Sequence, residues 1–462
     1  MKRDPQDLLQ TGRDALSGLS CEYAEIRISC GSGTSISLSG DDIDSFSTGE
    51  SIGGSVRVLK DGAWGFVSFN DFSEIKRFAR RAMELALQIA GSEKSSVAPY
   101  GPVRRRFSTG AGKNINDISI DEKFQLIRSY NNILKSSPDI QTTRAIYRDT
   151  VSQYILLNTE GSEIIYNRSY CGVSLSSIAR SGSVIQPFHN SISGYGGYEI
   201  VEDREEIAEE VVRTAVDLLK AEAAPGGTCA VIVDPKLAGV FIHEAFGHLS
   251  EADFIHENEE MRRVMVLGRQ FGPEGLNVYD DGSLAHLPGY TPFDDEGVLP
   301  EKTALISGGM LTGRLHSRET AARMNENPTG NGRAINVMRQ PIVRMTNTYI
   351  DKGPYSKEDI FSAVDRGIYA IDVIGGQTNL EMFTFTSGFG FEIKNGKRGK
   401  MYRDIQLSGN VFQTLKNIKM IGNDLQMFGG LGGCGKGGQS PLPVSFGGPH
   451  MLIEEVLIGG KQ

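Results

Sequence analysis

The sequence predicts an α+β fold in two parts: an N-terminal α/β domain over residues 1–224 and a β-rich, barrel- or sandwich-like C-terminal domain over residues 225–462. Three observations carry this. The first half shows the same succession of patterns twice, helical spacing, then strict alternation, then helical spacing again. A break at Ala224-Pro225-Gly226-Gly227 follows the second succession. Beyond it the chain is Gly-rich and mostly strand-like, with one strongly apolar helix. A length of 462 residues also exceeds what a single core usually serves.

Residues 4–18 place Leu8, Leu9, Ala15 and Leu16 at helical spacing. From Cys21 to about Asn70, the stretches AEIRIS, TSISLS and GSVRVL alternate between Gly, Asp and Ser turns, which reads as a strand meander. Phe72 to about Ala90 returns to helical period, and residues 93–117, rich in Ser, Pro and Gly, read as a long connection. The order then recurs. A helix at 120–136 precedes alternating strands at 140–195, with a hairpin turn at Asn158-Thr159-Glu160-Gly161. A helix at 203–222 closes the unit, Asp203 and Glu206 having capping-box spacing. Helix, meander, helix in duplicate points to an internal duplication.

Composition excludes several classes. With 48 Lys and Arg against 57 Asp and Glu, the net charge is −9, the wrong sign for a nucleic-acid partner. The densest basic cluster, Arg104-Arg105-Arg106, lies in a loop-like stretch and reads as solvated surface. The N-terminus MKRDPQDLLQTGRDAL has no apolar region after its charged start, so it is not a signal peptide, and no window is long and apolar enough for a membrane span. The expected location is the cytoplasm. Five scattered cysteines make no disulfide framework; Cys21, Cys30, Cys171 and Cys229 lie in or beside apolar strands as packing residues, and Cys434 stands apart.

Val231-Ile232-Val233-Asp234-Pro235 reads as a strand entering a helix, with Asp234 at the N-cap and Pro235 at the first helical position. The helix KLAGVFIHEAFGHL is apolar nearly all round and therefore buried, so the two histidines and the glutamate inside it need partners. His243-Glu244-Ala245-Phe246-Gly247-His248 is one residue longer than the zincin H-E-x-x-H. At about 100° per residue, positions five apart diverge by about 140°, whereas positions four apart diverge by only about 40°. A metal site here therefore requires a π-type bulge between His243 and His248, with Gly247 supplying backbone freedom.

Zinc with two imidazoles needs a third protein ligand and an open position. Glu251, Asp253 and His256 are the nearby choices; Cys434 is the distant one, in a run from Gly429 to Gly438. That run also matches G-x-G-x-x-G and most of a phosphate-binding loop. Both motifs need a helix to follow, yet Pro441 and Pro443 come next and Gly437 stands where Ser or Thr would bind magnesium, so both readings are rejected.

HEAFGHLSEADF, PFDDEGVLPEKTALISGGMLTGRLHSRETA, TGNGRA and GGCGKGGQSPLPVSFGGPH together resemble the TldD/PmbA (TldE) family of zinc metallopeptidases, loosely in the first half and closely after about residue 227. The resemblance implies zinc held by His243, His248 and Cys434, with Glu244 as the catalytic carboxylate. Because every element is kept, it implies the catalytic, TldD-like branch. It further implies a homodimer, or a heterodimer with a TldE/PmbA-like subunit, that degrades small or unfolded peptides in an enclosed cavity. Glu251 and Asp253 would orient imidazole N–H groups, Asp294-Asp295-Glu296 would form a turn or a substrate-facing edge, and residues 255–285 would form a lid. The rival readings are a noncatalytic peptide-binding subunit and a zinc amidase acting on small metabolites.

Overall fold

The computed structural model describes residues 4–89, 91, 94–109, 112–379 and 381–459. The first half contains two meanders. Helix α1 (Pro5–Leu16) precedes β1 (Tyr23–Ser39), β2 (Asp42–Lys60) and β3 (Ala63–Phe69), and α2 (Ile75–Ile89) follows. After β4 (Arg104–Ser108), the second unit runs α3 (Ile120–Leu134), β5 (Ile140–Asn158), β6 (Glu163–Ser181), β7 (Val184–Tyr195) and α4 (Glu205–Leu218). β1 pairs with β5 antiparallel from Glu25↔Asn158 to Ser39↔Arg144, fusing the meanders into one sheet ordered β3-β2-β1-β5-β6. Tyr170–Ser181 of β6 also pairs with β7. The helices of each unit pack on the same sheet, around Ile26, Ile28 and Val56 in one case and Tyr147, Val173 and Leu175 in the other. The helix–meander–helix order thus recurs as two like halves joined along β1 and β5.

Two local expectations are corrected. Within the connection at 93–117, of which 93, 110 and 111 lie outside the described residues, the arginine cluster is strand rather than loop: Arg104–Ser108 forms β4, parallel to Glu163–Asn167 of β6, and the three arginines lie exposed along an edge strand. Charged side chains on an edge discourage further strand addition. Asp203 is not the cap of α4. It sits at φ +52, a conformation Asp tolerates in turns, and Arg204 occupies the N-cap without a side-chain bond. The capping box belongs instead to α3, where Ser119 and Glu122 bond reciprocally.

Beyond β8 (Glu222–Ala223), strand β9 (Gly227–Val233) enters a curled ten-stranded sheet, antiparallel to Met451–Gly459 and parallel to Arg366–Ile371. A six-stranded sheet lies opposite, its edge formed by Ser445–Gly448 and Gln426–Phe428. Helix α5 (Pro235–Ile242) packs between the two sheets, with Leu237, Phe241 and Ile242 in the largest core cluster. Asp234 accepts a hydrogen bond from Leu237 N at 2.9 Å, and Pro235 occupies the first turn, as the sequence indicates. Among the described residues no helix is long and apolar enough to cross a membrane.

Residues 255–285 are not a lid. They form two short helices, Ala252–Glu257 and Glu259–Val264, and strand Val278–Asp281. Ile255, Met261, Met265, Phe271, Leu276 and Val278 sink into the main core. Their irregular spacing hides them among polar residues.

Candidate metal centre

The helix begun by α5 changes character at His243. Residues His243–Gly247 form a π turn, in which the His248 backbone N–H bonds to the His243 carbonyl. The extra residue brings position i+5 over position i, as i+4 stands over i in a regular helix. The imidazole centroids are 5.4 Å apart with their planes at 81°. Gly247 serves this turn through space rather than backbone freedom: its angles are ordinary right-handed helix, but a Cβ would lie 2.1 Å from Met345 Sδ.

Cys434 reaches the histidines on a hairpin, Cys434–Lys436 paired with Gln439–Leu442. Gly437 and Gly438, at φ +56 and +72, make its two-residue turn, which requires positive φ at both positions. No helix follows, so the two phosphate-loop readings are excluded by the fold. Arg344, fully buried, fixes the hairpin by donating to the carbonyls of Cys434 (2.6 Å) and Gln439 (3.1 Å). Lys436 anchors it from the other side, donating to both Asp253 oxygens (2.7 and 2.8 Å) and lying 3.0 Å from Glu251 Oε2.

One ligand atom each from His243, His248 and Cys434 lies within 4.8 Å of the others. Cys434 Sγ is 3.2 Å from His248 Nε2, and Glu251 Oε2 is 3.0 Å from His248 Nδ1. Glu251 thereby orients the ring so that Nε2 faces the thiol. His243 Nδ1 is buried without a hydrogen-bond partner, a placement that needs a compensating interaction. Two imidazoles and a thiol form a donor set suited to zinc, so the residues present fit that ion. Asp253 is occupied by Lys436, and His256 is outside the cluster; neither takes the ligand place held open for it in the sequence.

Burial holds His243 well below the usual imidazole range, with the charges of His248 and Arg344 acting in the same direction. Burial also pulls His248 down, but its bonds and charge contacts with Cys434 and Glu251 outweigh that and raise it. Glu244 lies beside the cluster, Oε2 3.9 Å from His248 Nε2, and burial raises its carboxyl. His243, Glu244 and Cys434 line one wall of a cavity of about 610 Å³. The facing wall comes from β7, including Asn190, Ser191 and Ser193, so both halves of the chain enclose it.

The acidic trio forms a turn. Asp294 accepts from the backbone N–H groups of Glu296, Val298 and Gly332, closing a turn. Glu296 meets Arg57 at 2.6 Å, and Asp295 meets Arg27 at 3.3 Å, tying this turn to the N-terminal sheet. Arg344 and the contact of Met345 with Gly247 were not foreseen; neither has a local sequence signal.

Models of three successive parts of one family match the chain: PmbA/TldA metallopeptidase domain 1 at residues 24–86, the central domain at 113–219 and the C-terminal domain at 226–460. A metalloprotease of Synechocystis sp. is 39% identical over 441 residues, covering 95% of each chain. A zinc metalloprotease TldD homolog of Saccharolobus solfataricus is 29% identical over 96% of this chain and 97% of its own. The solved structure of TldE from Thermococcus kodakarensis shares the fold at a TM-score of 0.75, with 18% identity and coverage of 98% and 99%. With all three family models matched in order across nearly its whole length, the chain belongs to the PmbA/TldA metallopeptidase family.

Proposed function

We propose that this chain is the catalytic, TldD-like kind of family member, a zinc-dependent peptidase that hydrolyses small or unfolded peptides in its enclosed cavity. His243, His248 and Cys434 would hold the metal, and Glu244 would act as general base. The observation that carries this reading is the convergence of the three candidate ligand atoms within 4.8 Å, with His243 and Cys434 on the wall of a cavity that Glu244 also lines. Zinc bound there would supply Lewis acidity to the scissile carbonyl and to the attacking water. Glu244 takes a proton from that water at a carboxylate oxygen and returns it to the leaving amine. Burial raises its carboxyl from the usual carboxylate range. Glu251 keeps His248 oriented through its bond to Nδ1.

Assembly with a TldE/PmbA-like subunit or with a second copy of this chain, in the cytoplasm, is part of the same proposal. The test is the metal content of the purified protein, alone and co-expressed with such a subunit, together with peptide cleavage. Stoichiometric zinc in the wild type, its loss in Cys434→Ala with the fold intact, and zinc-dependent cleavage are the expected results. Full zinc in Cys434→Ala would refute the ligand set. Zinc without cleavage of any peptide, with or without the partner, would favour a noncatalytic binding subunit.

A further inference from the structure

A second cavity, of about 280 Å³, lies next to the first. Its wall begins as strand pattern. Tyr166, Arg168 and Tyr170 alternate along β6 and so share one face. Across the ladders, Tyr154 stands opposite Tyr166, and Tyr195 opposite Tyr170 with ring centroids 5.0 Å apart. Tyr290 and Arg333, from the C-terminal half, close the other side. Leu442 and Pro443 also line it; Leu442 pairs with Cys434 in the hairpin, and Val444, directly after Pro443, lines the first cavity. Tyr170 also donates to Ser193 Oγ at 2.8 Å, and Ser193 lines the first cavity.

The lining carries two guanidinium groups and five phenols against one carboxylate. The hydroxyl of Tyr166, a residue only 6% exposed, is buried without a partner. Burial raises this phenol, and the neighbouring phenols of Tyr195 and Tyr290 raise it further, so it keeps its proton. Arg168 spends Nε on Ser152 Oγ at 2.7 Å and lies over the Tyr154 ring at 5.7 Å, and no further bond from its terminal nitrogens is made among the described residues. Arg333 adds positive charge while donating to the carbonyls of Met345 and Pro443. The one carboxylate in the lining, Asp295, is already engaged by Tyr154 Oη (2.7 Å), Ala334 N (2.7 Å) and Arg27 (3.3 Å). An unpartnered buried hydroxyl beside guanidinium groups and aromatic rings is complementary to an anion with an apolar stem.

We propose that this second cavity is a subsite for a carboxylate of the peptide substrate, with Tyr166 and Arg168 as its donors and the tyrosine rings packing on the residue that bears it. The proposal rests on the peptidase reading, and the volume, below that of a drug-sized pocket, suits one amino-acid residue. The carboxylate can come from the peptide's C-terminus or from an acidic side chain.

The test measures binding to the full chain by calorimetry after treatment with a chelator, so that no peptide is consumed. One arm compares an uncharged hexapeptide with a free C-terminal carboxylate against its C-terminal amide. The other compares the amide carrying one internal Asp against the same peptide with Asn. A preference of about tenfold or more for the carboxylate member in either arm is expected, the size of a charge-assisted hydrogen bond, and the arm that shows it identifies the source. Arg168→Gln should abolish the preference. Tyr166→Phe should reduce it severalfold while leaving thermal stability unchanged or higher, because the lost hydroxyl has no partner. No preference in either arm, or a preference retained in both variants, overturns the proposal. Cleavage of a neutral amidated peptide by the zinc-loaded wild type tests the peptidase reading separately. A carboxylate preference without cleavage would overturn that reading and keep the subsite, and cleavage without preference would do the reverse.

Discussion

Glu251→Gln is the sharpest probe of the candidate centre, because it changes one buried atom and no volume. Glu251 is 1% exposed, and its Oε2 sits 3.0 Å from both His248 Nδ1 and Lys436 Nζ. The amide carbonyl of Gln can keep the bond to His248 but loses the negative charge that strengthens it. The amide NH₂ would then fall where Oε1 now lies buried without a partner, and an unpaired buried donor costs about 1–3 kcal/mol. Lys436 retains Asp253 at 2.7 Å, so the hairpin stays anchored and the fold should survive. We predict a stability loss of about 1–3 kcal/mol from the unpaired amide. Zinc affinity should fall by about 10–100-fold, or ~1.4–2.7 kcal/mol, the usual effect of removing a carboxylate behind a ligating histidine. Competition with a chromogenic chelator reads the affinity, and thermal melting with and without zinc reads the stability. Zinc affinity within twofold of wild type would show that Glu251 does not position a metal ligand and would refute the reasoning.

Three further outcomes follow from the geometry. Glu244→Gln should keep near-stoichiometric zinc and still bind peptide, yet lose at least about 10²-fold in cleavage, the scale of general-base catalysis; wild-type rates would remove Glu244 from the mechanism. Gly247→Ala drives a Cβ to 2.1 Å from Met345 Sδ, so we predict a loss of about 1–3 kcal/mol in denaturant titrations together with weakened zinc binding, and unaltered zinc affinity would show that the turn tolerates the shift. Asp234, held by burial at about 7 rather than 3.8, contributes stability that is fully present below about pH 4 and lost as pH rises through about 7. Asn caps a helix as well as Asp, so the melting temperature of Asp234→Asn relative to wild type should climb between those pH values, and a constant difference would contradict the raised pKa.

What could be read in advance was whatever depends on residue type and short spacing. Asp234-Pro235 marked the start of the helix that carries His243, and a shared site for His243 and His248 at five-residue spacing called for the π turn. The duplicated meanders were visible because alternation over 19-residue strands leaves little ambiguity. Where a tertiary contact decides, the sequence misleads. Gly247 looked like a conformational hinge and is instead a steric gap for Met345. Asp203 had cap spacing, but its backbone turns the wrong way one residue early. Asp253 looked available for an imidazole until Lys436, 183 positions away, claimed it. The tyrosine cavity left no signal, since four of its rings are ordinary alternating strand residues and Tyr290 reaches them only through the fold.

These contacts also explain why the candidate centre gathers its three donors from two distant segments. The π turn alone supplies two imidazoles, and a third donor on the same helix would have to come from Glu251, which is already committed to His248 and Lys436. Cys434 arrives on a hairpin whose position is set by Arg344 on its carbonyls and by Lys436 on Glu251 and Asp253. The carboxylate that orients one histidine therefore also holds the segment that carries the thiol. Loosening Glu251 frees the His248 ring and removes one of the two carboxylates on Lys436, whereas loosening Asp253 disturbs the hairpin alone. Asp253→Asn should accordingly weaken zinc binding less than Glu251→Gln, and the pair together should be non-additive through Lys436, as expected for residues sharing one partner. Equal effects of the two single changes, or strict additivity in chelator titrations of the double variant, would separate the orientation of His248 from the placement of Cys434 and disprove the coupling.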